Sequence, residues 1–139
     1  MEKIGVSACL LGIGCKYNGK HNLNFDVIRF IAGKEVVLIC PEVMGGLKTP
    51  RIPCEVQFTG RVLNQKNEDV TEAFNLGKHL SLSKLKENDC NQVILKDGSP
   101  SCGYSAIYDG SFTGKLIKGQ GVTTKYLIDN HIQIIQLDT

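Results

Sequence analysis

Three of the six cysteines follow short apolar runs, at points where a buried strand should give way to a loop. They are Cys9, Cys40 and Cys102. The carboxyl ends of parallel strands face one crevice, and ligands bind there. Thiolates from three separate segments can therefore converge on one point, which is the arrangement that soft metals and iron–sulfur clusters need.

The elements that position these thiols follow from hydrophobic periodicity. Four apolar, β-branched runs predict strands at residues 4–8, 36–40, 92–96 and 132–136. Segments with helical character lie between them, at residues 23–32, 70–86 and 121–130. In the first of these, Phe25, Ile28 and Ile31 recur at spacings of three. The alternation predicts an α/β fold, a single three-layer Rossmann-like domain over residues 1–139 with a mostly parallel sheet.

Two connections are unusually long for so small a domain, at residues 41–57 and 97–120. Connections longer than about 12–15 residues are usually functional or disordered. Both lie beside a candidate cysteine ligand, and the second carries five glycines, which permit tight turns and close approach to a ligand. We therefore expect both segments to take part in function.

Composition limits the class of protein. The chain has 139 residues, of which 42% are hydrophobic and 22% charged, with a formal net charge of +2, too weak to indicate nucleic-acid binding by itself. It shows no signal-peptide start and no apolar run near the roughly 20 residues that cross a bilayer. We expect a cytoplasmic protein without membrane contact, and the sequence does not specify an oligomeric state. In a reducing compartment, cysteines indicate metal binding or catalysis rather than disulfides.

The residues beside the thiols add chemistry to two of the three segments. Pro41 should hold Cys40 extended, which ends the strand, and Glu42 places a carboxylate close by. The segment SPSCG surrounds Cys102 with two hydroxyls, a rigid proline and a glycine. Such segments offer hydroxyl and amide donors at close range.

Several motifs occur together in one order along the whole chain. They are VSACLLG at 6–12 with KYNG at 16–19, CPEVMGGL at 40–47 with PRIP at 50–53, and SPSCG at 99–103 with IYDGSFTG at 107–114 and GQGV at 119–122. In these motifs the chain resembles the thiouracil desulfurase family, small bacterial domains formerly known only as a domain of unknown function.

The resemblance implies a 4Fe-4S cluster held by Cys9, Cys40 and Cys102, with one iron free of protein ligands. That iron would act as a Lewis acid on the sulfur of a thiolated pyrimidine, of the thiouracil or thiouridine type. Water would then replace the sulfur, which leaves as hydrosulfide without net electron transfer. Because the chain ends at Thr139, without the second domain of some family members, we expect a small-molecule thiolated base or nucleoside as substrate.

The resemblance also implies roles for two polar residues. Glu42 would act as general base and proton carrier, and Ser101 would donate or relay a hydrogen bond near the substrate. In addition, the turn holding Gly119 and Gly121 offers amides for a carbonyl oxygen of the base, at an expected helix start. Tyr17 offers a ring that can stack on the base.

The other cysteines and the arginine of the PRIP motif have less specific interpretations. Cys15 is expected to pack beside the cluster or to supply a fourth ligand. Cys54, where a small residue such as alanine is expected, and Cys90 are expected to be packed thiols. Arg51 is expected to pin its loop through a carboxylate.

Two other classes of function remain open. The first is a non-enzymatic metal- or sulfide-binding module with three structural thiolates. The second is a thiol-dependent hydrolase with a cysteine nucleophile, for which the sequence shows no obvious histidine partner.

Overall fold

A computed structural model describes residues 2–139. The elements follow one another in this order: β1 (Lys3–Ser7), a 3-10 helix (Ala8–Leu11), α1 (Phe25–Ile31), β2 (Glu35–Ile39), α2 (Pro41–Met44), β3 (Cys54–Val56), β4 (Val62–Asn64), α3 (Thr71–Glu87), β5 (Gln92–Ile94), β6 (Ala106–Tyr108), β7 (Leu116–Lys118), α4 (Val122–Asp129) and β8 (Gln133–Ile134). Four strands form a parallel sheet in the order β2-β1-β5-β8. The others form two antiparallel hairpins, β3–β4 and β6–β7.

Helices cover both faces of the sheet and confirm the predicted α/β architecture. On one face, Ile4 of β1 packs with Val27 of α1. On the other face, Val37 of β2 packs with Leu85 of α3 and Leu127 of α4. Each buried aliphatic side chain of this size stabilises the fold by about 1.5–3 kcal/mol. Within residues 2–139, no helix is both long and apolar enough to cross a membrane.

The predicted strands and helices are all present, and their ends differ from the prediction by at most two residues. The apolar residues at spacings of three in α1 do not coincide with its buried face. Phe25 is 66% exposed and Ile28 is also exposed, whereas Val27 is buried and Ile31 half-buried against the sheet. A helix of two turns is too short for apolar spacing to define which face packs.

The two long segments that were predicted as loops contain regular structure. The first holds α2 and β3, and the second holds β6 and β7. These elements are three or four residues long. Elements of this length span one helical turn or one strand alternation, so they leave no periodic signal in the sequence.

Two glycines allow α2 to lie directly against α3. A Cβ atom at Gly45 would lie 2.0 Å from the carbonyl oxygen of Ala73, and one at Gly77 would lie 2.1 Å from that of Pro41. No side chain fits at such distances, so both positions require glycine. This close approach sets the position of α2 and of Cys40, its N-cap residue.

The sheet order creates a crevice at the carboxyl ends of the central strands. β1 and β5 are neighbours in the sheet. The chain leaves β1 towards β2 on one side and leaves β5 towards β8 on the other, so the two connections diverge at this point. The Ser7 hydroxyl accepts a hydrogen bond from the Lys96 amide at 3.1 Å and joins the ends of β1 and β5. The carboxyl ends of these parallel strands therefore face one crevice, as expected for converging thiols.

Candidate functional site

A cavity of about 660 Å³ opens at the carboxyl ends of β1, β2 and β5. Its wall contains Cys9, Cys40 and Cys102, together with Cys15 and Cys54. All five thiols are free. The structure thus brings the three predicted ligands to one cavity, and it adds two further cysteines.

Each predicted ligand is placed by local backbone structure. Cys9 lies in the 3-10 helix directly after β1, and Cys40 directly follows β2. The backbone of Cys40 is extended (φ −143°, ψ 93°), as the proline that follows it requires. Cys102 lies in a tight turn, where the Ser99 hydroxyl accepts from the amides of Ser101 at 3.1 Å and of Cys102 at 3.2 Å.

Hydrogen bonds favour the thiolate form of two ligands. Side-chain hydrogen bonding with Cys15 is the main cause that lowers the pKa of Cys9, to about 7, and it also lowers the pKa of Cys40. The same contacts, with Cys40 and then Cys9, raise the pKa of Cys15, so this thiol keeps its proton. Asn22 Nδ2 donates to Cys9 Sγ at 3.4 Å. Thiolates are the form that binds metals.

The third thiol is in a different environment. Cys102 is buried, and burial raises its pKa well above the ordinary value, with the nearby Glu42 carboxylate adding to the rise. Burial also raises the pKa of Cys54, to about 11. A thiol in such surroundings becomes a thiolate when a bound cation compensates the loss of hydration.

Three side chains hold the Glu42 carboxylate, the longest contact being a hydrogen bond that the Ser99 hydroxyl donates to Oε1 at 3.5 Å. Arg51 Nη2 lies 2.7 Å from Oε2, and the Ser101 hydroxyl donates to Oε1 at 2.5 Å. The same Arg51 nitrogen donates to the carbonyl oxygen of Cys15 at 3.0 Å. Arg51 therefore pins its loop through a carboxylate, as predicted. Ser101 is fully buried and reaches the cavity only through Glu42.

The remaining predicted binding residues lie in different surroundings. Tyr17 lines the cavity and is 42% exposed. The amides of Gly119 and Gly121 donate to the carbonyl oxygens of Ser105 at 3.3 Å and Gly103 at 2.8 Å. Neither glycine lines the cavity. Because their amides are already occupied by the backbone, the prediction that they bind substrate has no support in this geometry.

Sequence reasoning missed the part of the wall that the hairpins supply. Glu55 of β3 lines the cavity, as do Tyr108, Phe112 and Leu116 from the β6–β7 hairpin. A signal for a turn was present, because Asp-Gly pairs are typical of turns, and Asp109 and Gly110 begin the seven-residue turn of this hairpin. Lys96, two residues after the end of β5, also lines the cavity and was not predicted to do so.

The donor set can be tested against the kind of metal it suits. Among residues 2–139, no three His, Cys, Asp or Glu side chains form a group suited to a single metal ion. The described cavity wall contains no histidine. Thiolates from three separate segments around a large cavity fit a soft, polynuclear iron–sulfur cluster, whose ligands bind different irons.

The chain is similar to known proteins over nearly its full length. The family model for 2-thiouracil desulfurase matches residues 4–139. The chain is 41% identical over 131 residues to the uncharacterized protein YbbK of Bacillus subtilis (strain 168). The alignment covers 88% of this chain and 87% of YbbK. It is 40% identical to the 4Fe-4S-dependent thiouracil desulfidase TudS (DUF523Vcz), whose solved structure matches with a TM-score of 0.89 over 96% of this chain and 89% of that chain. The chain therefore belongs to the 2-thiouracil desulfurase family.

Proposed function

We propose that this protein removes sulfur from a thiolated pyrimidine by hydrolysis without net electron transfer, and that it uses a 4Fe-4S cluster to do so. The observation that carries the proposal is that the three predicted ligand thiols lie in the wall of the same cavity as the Glu42 carboxylate, which Arg51 anchors. The similarity to a 4Fe-4S-dependent thiouracil desulfidase supports the same assignment.

Cys9, Cys40 and Cys102 would hold the cluster. Bound there, the cluster supplies a soft Lewis acid for the thiocarbonyl sulfur. We assign Cys15 a supporting role, because side-chain hydrogen bonding with it lowers the pKa of both Cys9 and Cys40 while its own pKa is raised. Asn22 gives the sulfur of Cys9 a second hydrogen bond.

Glu42 is the proposed general base. Arg51 and Ser101 each hold one of its carboxylate oxygens, so the orientation of the base is set before substrate arrives. Glu42 takes a proton from the water that attacks the thiocarbonyl carbon. The water oxygen becomes the carbonyl oxygen of the product, and the sulfur leaves as hydrosulfide, so no electron acceptor is required. The Ser101 hydroxyl can both donate and accept a hydrogen bond, so it can relay a proton to or from Glu42.

The substrate class agrees with the size and lining of the cavity. A volume of about 660 Å³ lies within the range of small-molecule sites and accommodates a base or a nucleoside. Tyr17 presents its ring at the cavity wall, where it can stack on a pyrimidine.

The test is anaerobic reconstitution with iron and sulfide, followed by assays of sulfide release from 2-thiouracil and 4-thiouracil. We expect visible charge-transfer absorbance, iron together with acid-labile sulfide, and release of one sulfide per pyrimidine product. Cys102→Ala should lose the cluster. Cys90→Ala, which changes a buried cysteine outside the cavity wall, should keep it.

Two outcomes would contradict the proposal. Tightly bound zinc without acid-labile sulfide would favour the non-enzymatic metal-binding module. Sulfide release by the metal-free protein would favour a thiol-dependent hydrolase.

A further inference from the structure

The β6–β7 hairpin forms a part of the cavity wall that carries no cysteine. It contributes Tyr108, Phe112, Gly114 and Leu116 to the lining. Phe112 lies in the seven-residue turn between the two strands and is half-buried. The hairpin therefore places an aromatic ring at the cavity from a segment that is separate from the proposed ligands.

Glu55 fastens the turn of this hairpin. Its Oε1 atom accepts hydrogen bonds from the amides of Gly110 at 2.9 Å and Phe112 at 3.1 Å, and the residue is 8% exposed. Gln57 Nε2 donates to the carbonyl oxygen of Gly110 at 3.1 Å. Hydrogen bonds from backbone amides to a buried carboxylate are among the stronger links in proteins. The position of the turn thus depends on a side chain of β3.

The backbone at Phe112 is in an uncommon conformation. Its φ of 59° lies in the left-handed region, where glycine and asparagine are favoured and a bulky residue is an outlier. Such conformations persist where surrounding contacts over-determine them, and they cluster at ligand-binding sites. The backbone conformation therefore does not explain why position 112 is a phenylalanine. A function of the ring at the cavity would explain it.

We propose that Phe112 is a specificity-determining residue whose ring packs against the face of the thiolated pyrimidine, and that Glu55 is a positioning residue that acts through Phe112. This inference rests on the proposed function. A pyrimidine presents a flat π face, and stacking on an aromatic side chain stabilises a bound base. The hydrogen bonds that Glu55 accepts from the amides of the turn hold the turn, and with it the ring, in place before the base binds.

The first experiment compares Phe112→Asn with Phe112→Tyr in the anaerobically reconstituted protein. Asparagine tolerates the left-handed backbone but removes the ring, whereas tyrosine keeps the ring. Phe58→Asn is the matched control, because Phe58 is a fully exposed phenylalanine in the β3–β4 turn, outside the cavity wall. The readouts are KM for 4-thiouracil, kcat, iron and sulfide content, and the dissociation constant of uracil by calorimetry.

We expect Phe112→Asn to raise both KM and the uracil dissociation constant about tenfold or more, which is within the range for loss of one stacked base. Its kcat and iron content should stay near those of the wild type. Phe112→Tyr and Phe58→Asn should change each quantity by less than about twofold. If Phe112→Asn loses iron or folded structure, Phe112→Leu, which keeps an apolar side chain without the π face, tests the same claim.

The second experiment tests the positioning role of Glu55. Glu55→Gln keeps an acceptor but removes the charge that strengthens the hydrogen bonds with the Gly110 and Phe112 amides, so it should weaken uracil binding by itself. It should add nothing in a Phe112→Asn background, because residues that act as a unit are not additive. A merely structural role would instead give additive effects. Glu68→Gln is the control, since Glu68 also accepts a side-chain hydrogen bond but does not line the cavity.

The outcomes separate this inference from the function on which it rests. An active wild type whose Phe112→Asn or Phe112→Leu variant binds uracil as tightly as the wild type overturns the role of Phe112 alone. Additive effects of Glu55→Gln and Phe112→Asn overturn the role of Glu55. A reconstituted wild type that releases no sulfide overturns the proposed function.

Discussion

The Nη2 atom of Arg51 lies 2.7 Å from Oε2 of Glu42, and the two side chains are only 8% and 16% exposed. The same nitrogen reaches the carbonyl oxygen of Cys15 at 3.0 Å. One guanidinium therefore connects the proposed base with the loop that carries Cys15. Since both charges are largely buried, removing either would leave the other without its partner.

Arg51→Ala should destabilise the fold by about 3 kcal/mol, because it leaves the Glu42 carboxylate buried and unpaired. The measurement is urea unfolding of the cluster-free protein under reducing conditions. Arg61→Ala is the matched control, since it removes an arginine from the exposed ion pair with Asp69. Its effect should be clearly smaller. Equal losses in the two variants would show that the Arg51–Glu42 pair is not effectively buried.

Glu42→Gln should lower kcat about 100-fold or more while iron and sulfide content stay unchanged. Glutamine has nearly the same shape and can still accept the bond from Ser101, but it cannot take a proton from water. Single-turnover release of sulfide from 4-thiouracil measures the effect. Glu72→Gln, at an exposed position in the first turn of α3, should leave kcat unaltered. A Glu42→Gln variant with wild-type kcat would exclude Glu42 as the base.

Gly77→Ala should destabilise the protein by about 2 kcal/mol or more, because the new methyl group meets the carbonyl oxygen of Pro41. In an exposed helix interior the same change would stabilise by about 1 kcal/mol, so the sign of the effect tests the close approach of α2 and α3. Displacement of α2 should also lower the iron content after reconstitution, since Cys40 caps that helix. Thermal unfolding and iron analysis measure the two effects, with Ser83→Ala on the exposed side of α3 as control.

Asp97→Asn should destabilise the protein at neutral pH and less so in acid. Oδ1 of Asp97 accepts hydrogen bonds from the amides of Gly98 at 3.0 Å, Tyr104 at 2.9 Å and Ser105 at 3.1 Å. Partial burial raises the pKa of Asp97, but hydrogen bonds, chiefly from Ser105, outweigh it and hold the pKa below its ordinary value.

The sign follows from that lowered pKa. A carboxyl with a lower pKa in the folded than in the unfolded protein stabilises the fold above the unfolded value of about 3.9, and this stabilisation is lost as pH falls through the folded value. The difference in unfolding free energy between wild type and Asp97→Asn should be constant near neutral pH and shrink below about pH 4. Urea unfolding across this range measures it. A difference that does not change with pH would rule out a contribution from the charge.

Local patterns in the sequence determined the fold class and the three thiol positions. The strand runs before Cys9 and Cys40 and the turn residues around Cys102 act over a few neighbours, so their effect can be read from the chain itself. The Cys-Pro step ends β2 and begins α2, and its extended backbone follows directly from proline chemistry. The family motifs are also runs of neighbouring residues, so they too can be recognised in the sequence alone.

Only the tertiary structure decided which polar groups meet. The effect of Cys15 on the pKa of Cys9 and Cys40, the pairing of Arg51 with Glu42, and the occupied amides at the start of α4 all depend on where distant segments lie in space. Periodicity reports which side of an element is buried, but it does not report the partner on that side. Hydrogen bonds and ion pairs act over about 3 Å, so the contacts that orient a catalytic group are settled only when the chain has folded.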